Sequence, residues 1–105
     1  MEAAADRIKA YRQFVVSRRE DAKKLMKKNM HDSYYRGVYM GMLWPMCDPL
    51  CFPKEAPNPP GYIQYLESEI ARYTLKKDDP DVGYFYNGVS AGISCLLFGA
   101  KKHLI

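Results

Sequence analysis

The chain has 105 residues and a formal charge of +4, with 48% hydrophobic residues and a mean hydropathy of −0.41. That length allows one domain with a modest core, and three cysteines exclude a disulfide-dense secreted scaffold. The charge is uneven: residues 1–36 hold ten Lys/Arg and five Asp/Glu, which suits an acidic partner or an anionic membrane surface but is too mixed with acid to argue for nucleic acid.

Residues 3–30 read as a long amphipathic helix. Ile8, Tyr11, Val15, Ala22, Leu25, Met26 and Met30 recur at steps of three and four, and Arg18, Arg19, Lys23, Lys24, Lys27 and Lys28 cover much of the rest. Its Arg content is similar to that of a mitochondrial presequence. Glu2, Asp6 and Glu20 argue against one, because such leaders are poor in acid. Arg18, Arg19, Lys23 and Lys27 are candidate contacts for a membrane surface or a partner. Asp32 and Ser33 either end this helix or cap the next.

Residues 33–44, SYYRGVYMGMLW, form a short apolar helix or turn-rich segment that Pro45 ends. Its uncharged run from Gly37 to Cys47 is 11 residues, too short to span a bilayer. Trp44, at the edge of that run, is either an interfacial anchor or a core filler. Residues 45–60 contain six of the seven prolines and read as an extended connection packed along a surface. Within it, Cys47 and Cys51 are too few for an iron–sulfur cluster and lack the further ligands that zinc needs. They are either a disulfide across one turn or two packed free thiols. His31 beside Asp32 resembles a base and its orienting acid, but no nucleophile can be assigned to it; a surface histidine is the simpler reading.

Residues 61–76 read as a second amphipathic helix with Ile63, Leu66, Ile70 and Tyr73 on one face, stopped by Pro80. Residues 82–100 then run for 19 positions without a charge. As a helix they would be ~28 Å long, close to the hydrocarbon thickness of a bilayer. Gly88, Gly92, Cys95 and Gly99 fall on one face of it. In water each Gly costs about 1 kcal/mol relative to Ala, whereas in lipid a small-residue face lets a neighbouring helix come close. A membrane helix packed on a neighbour is therefore expected, and a buried helix of a soluble bundle is the alternative. YYRGVYMGM (34–42) and FYNGVSAGI (85–93) also share aromatic-Tyr-x-Gly-Val-x-x-Gly-apolar. Two such faces can pack on each other or on one partner, though chance also produces a match this short.

The expected fold is all-α, without a compact independent core. Amphipathic helices and the Pro-rich segment make an extramembrane part over 1–81, followed by a transmembrane helix over 82–100 and a basic tail over 101–105. Lys101 and Lys102 would contact the membrane surface on the side that retains positive charge, leaving the bulk on the opposite side. No catalytic residue, metal site or cofactor is expected.

SRREDAKKL, DSYYRGVYMGMLWPM, PLCFPKE, NPPGYIQYL and NGVSAGISCLLFGAKKHLI together resemble a small plant-type accessory subunit of mitochondrial respiratory complex I. The resemblance covers most of the chain. It implies one membrane span, a proline-rich part lying along the membrane arm, no cofactor and no redox chemistry. The implied role is support of assembly or stability of that arm at the inner membrane, with other subunits and membrane lipids as partners. In that membrane Lys101 and Lys102 would lie on the matrix side and the bulk in the intermembrane space. A helical interaction protein, soluble or bound peripherally through its basic helix, is the alternative.

Overall fold

A computed structural model describes residues 4–43, 59–76 and 78–104. Four helices and no strand occur among them: α1 (Ala4–Lys28), α2 (Ser33–Leu43), α3 (Pro59–Thr74) and α4 (Gly83–His103). The all-α expectation is met, with helix ends within a few positions of those read from periodicity. Trp44, Cys47, Cys51 and residues 45–58 of the Pro-rich segment lie outside the described residues. Pro59 and Pro60 form the first turn of α3, where a missing N–H costs nothing.

Local chemistry sets the helix limits. α1 closes where the backbone and side-chain N–H groups of Asn29 both donate to the Leu25 carbonyl, at 3.1 and 2.8 Å. Asp32 caps α2, its Oδ1 accepting from the Tyr34 N–H at 2.9 Å. Asp79 prepares the entry to α4: its Oδ1 accepts from the N–H groups of Asp81 (2.8 Å) and Val82 (3.2 Å). Lys101, Lys102 and His103 occupy the last turn of α4, where positive charge suits the helix dipole.

α4 is the hub and packs against all three other helices. α3 runs antiparallel to it, with Tyr73 stacked on Tyr86 at 5.6 Å and, at the other end, Tyr62 beside the Tyr11 that bonds the Leu96 carbonyl. α1 also runs antiparallel, placing Phe14 near His103 and Lys28 near Tyr84. α2 runs parallel to α4.

Two expectations are corrected here. The core is contiguous rather than missing. Tyr11, Val15 and Ala22 of α1, Met42 of α2, Tyr62, Ile63, Leu66 and Tyr73 of α3, and Val89, Ile93, Leu96 and Ala100 of α4 are all buried in one cluster. The second correction concerns the expected transmembrane helix. No described helix is long and apolar enough to cross a membrane. Length is not what fails in α4, which has 21 residues. Its apolar side is already covered by α1, α2 and α3, and its open side carries Tyr84, Asn87, Ser94 and one large apolar side chain, Phe98. Glycines and serines dilute the rest, so the helix lacks a girdle of large apolar side chains to offer lipid.

Candidate interaction surface

The small-residue face of α4 meets other helices of the same chain. A Cβ built on Gly88 would collide with the Tyr34 carbonyl oxygen and lie 3.0 Å from the Gly37 Cα. One on Gly37 would collide with the Phe85 carbonyl oxygen and lie 3.1 Å from the Gly88 Cα. Gly41 faces Val89, and Gly92 faces Val38 and Met42. The contacts advance in the same direction along both helices. They also exchange under the substitution of 34–42 for 85–93: Tyr34 stands to Gly88 as Phe85 stands to Gly37. The shared pattern of the two segments is thus a quasi-two-fold seam of parallel helices. Each glycine lets a carbonyl oxygen approach the opposite Cα, the arrangement of Cα–H···O contacts worth about 0.5–1 kcal/mol each.

Cys95 and Gly99 do not belong to this seam. A Cβ on Gly99 would strike the Phe14 ring of α1. Cys95 is half-buried against the core, and burial pushes its thiol pKa up while the nearby Arg18 cation offsets part of the rise. Small residues that looked like one interface in the sequence therefore receive two different helices.

The cations divide similarly. Arg19 is structural: its Nε and Nη2 donate to the Met42 carbonyl at 3.2 and 2.8 Å, capping the C-terminus of α2. Lys23 is half-buried, whereas Lys27, Lys101 and Lys102 are exposed. Arg18 is exposed but ordered, its guanidinium lying 5.2 Å above the Phe14 ring.

Around that ring the structure gathers residues that the sequence reading did not single out. Phe14 lies 6.3 Å from Phe98 and 5.7 Å from His103. Phe98 is 62% exposed, and Lys101 and Lys102 follow one turn later on the same side. The spacing of Phe98 to Lys101 and Lys102 was a usable signal. The contribution of Phe14 was not, because it depends on α1 crossing α4.

The other open features offer less chemistry. A cleft of about 530 Å³ at the α1–α2 turn is lined by Lys28, Asn29, Met30, His31, Asp32, Ser33 and Tyr84. Asp32 there is committed to capping α2. No group of three or more His, Cys, Asp or Glu able to hold a metal occurs among the described residues. The buried hydroxyls of Tyr11 and Tyr62 bond each other at 2.8 Å, and Tyr11 also donates to the Leu96 carbonyl at 3.2 Å. Tyr11 then leaves Tyr62 as donor in the pair. Burial, reinforced by Tyr62, raises the Tyr11 pKa well above its ordinary value, which suits a structural hydroxyl rather than a proton carrier.

Compared with known proteins, the chain matches no family model, no curated protein sequence and no solved structure.

Proposed function

We propose that this chain is a non-catalytic helical accessory subunit that supports assembly or stability of a larger membrane-bound complex. The resemblance of its sequence suggests the membrane arm of mitochondrial NADH:ubiquinone oxidoreductase (complex I) as host. The observation that supports a docking role is the division of labour in the fold. α4, with its glycines, is consumed in holding the chain together, while cations such as Arg18, Lys101 and Lys102 and the aromatic Phe98 are left exposed at the end of α4. The burial of α4 equally favours the alternative, a helical interaction protein with a buried C-terminal core helix. Both readings meet in a subunit attached peripherally at the inner membrane. The expectation that Lys101 and Lys102 face the matrix, with the bulk in the intermembrane space, rested on a spanning helix and is not part of this reading.

Native electrophoresis of mitochondria solubilised in mild detergent, followed by alkaline carbonate extraction, tests this reading. The chain is expected to co-migrate with complex I activity and to be released by carbonate. Migration as a free small species would overturn the host. Retention in the carbonate pellet would overturn peripheral attachment and return the question to a membrane span.

A further inference from the structure

We infer that the corner of the molecule formed by Phe14, Arg18, Phe98, Lys101, Lys102 and His103 docks on an anionic lipid surface. This inference deepens the peripheral attachment proposed above.

The corner is built from the inside outward. Gly99 leaves a slot on α4 that the edge of the Phe14 ring enters. Seated there, Phe14 supports three neighbours: Phe98 at 6.3 Å, His103 at 5.7 Å and the Arg18 guanidinium at 5.2 Å. The arrangement leaves Phe98 largely in solvent, at 62% exposure. An isolated exposed apolar residue is ordinary. This one lies among exposed cations from two helices: Lys101 and Lys102 follow it by three and four positions on α4, and Arg18 of α1 covers the Phe14 ring beside it. The acidic Asp78, Asp79 and Asp81 lie beyond the opposite end of α4, and Asp21 is the acid one turn from Arg18 on α1.

Such a surface needs a partner presenting a plane of negative charge with an apolar layer directly beneath it. An anionic bilayer has that layering. Lysine and arginine pair with its phosphates while an aromatic ring enters the boundary between headgroups and acyl chains. An acidic protein supplies the charge and accepts the ring only where its own side chains leave a matching pocket, whereas a bilayer presents the layering at every point of its surface. Preordering of Arg18 on Phe14 lowers the entropy lost on binding.

The test is co-sedimentation of the full chain with vesicles of pure phosphatidylcholine and with vesicles containing about 30 mol% phosphatidylserine, a composition at which the surface potential attracts basic segments. Binding only to the anionic vesicles is expected, weakening as salt rises. Lys101→Gln with Lys102→Gln should lower the partition coefficient about thirtyfold, from about 1 kcal/mol per cation. Phe98→Ser should lower it several-fold at unchanged helicity by circular dichroism. Equal binding to neutral vesicles, or variants that bind like the parent, would overturn the proposal. So would retention on a polyglutamate column without vesicle binding, which would point to an acidic peptide. Vesicle binding without co-migration with complex I would remove the host and leave this surface standing; co-migration without vesicle binding would do the reverse.

Discussion

Gly88 and Gly99 both lack room for a methyl group, but what fills the space differs. At Gly88 the obstacle is the Tyr34 carbonyl, which is fixed in the backbone of α2. At Gly99 it is the edge of the Phe14 ring, which can turn about its own bonds. Relief at Gly88 requires two helices to separate along a seam that Gly37, Gly41 and Gly92 share. Gly88→Ala should therefore cost about 3 kcal/mol, the upper part of the overpacking range, and Gly99→Ala closer to 1 kcal/mol. Urea unfolding of the two variants checks the order. Equal losses would mean that the seam adapts as readily as a ring. A glycine face in a sequence says that some backbone comes close, but not whose. Gly88 and Gly92 were legible as a packing surface, and the pattern shared by 34–42 and 85–93 offered α2 as one of two candidate partners; a seam made of missing side chains carries no charge or shape to choose between α2 and another chain.

At the scale of the element, periodicity served where a helix has one apolar face and one polar face. The spans of α1 and α3 followed from the steps between Tyr11, Val15 and Ala22 and between Ile63, Leu66 and Ile70. It misled for α4, whose uncharged length resembles a membrane span because three neighbours bury most of its circumference. A helix surrounded by protein and a helix surrounded by lipid are both relieved of charge. What separates them is bulk, and the glycines and serines of α4 lack it. α2 shows the converse dependence. It has only 11 residues and no basic residue in its last turn, so an isolated helix of this sequence would be marginal. Arg19 of α1 supplies the missing cation from outside. Arg19→Met keeps the stem and removes both hydrogen bonds, and should destabilise the chain by about 1.5–3 kcal/mol. Amide hydrogen exchange would show the loss first in the last turn of α2. Protection unchanged there would mean that the parallel seam alone holds that end.

Across the whole molecule, the buried pair of tyrosines ties α1, α3 and α4 at one point. The Tyr11 hydroxyl reaches both Tyr62 and the Leu96 carbonyl, so ionising it would place a negative charge against an acceptor. Its pKa in the folded chain is raised above the ordinary value of 10. Above pH 10 the folded state keeps a proton that the unfolded chain has released. Stability is thus fully present below pH 10 and falls as pH rises beyond it, by roughly 1 kcal/mol or more per pH unit for one such proton. Urea midpoints measured from pH 8 to 11 should fall less steeply in Tyr11→Phe than in the parent. Parallel falls would detach this hydroxyl from the alkaline transition. The basic corner belongs to this scale too. It exists only where α1 crosses α4, which is why Phe14 and His103 could not be paired from the sequence.

The parallel pairing of α2 with α4 has a consequence for how the chain is made. Parallel neighbours cannot be joined by a tight turn, so α3 must carry the chain back before α4 can lie beside α2. A ribosome therefore releases α1, α2 and α3 before the helix on which all of them pack. Until then Gly37 and Gly41 lack the backbone of α4, and the residues of α1 and α3 that pack on α4 lack their cover. The nascent chain passes through a stage without its hub, in which short helices such as α2 are marginal on their own and a chaperone or a host surface can hold the chain. Completion of α4 ends that stage by closing the glycine seam and the tyrosine pair together.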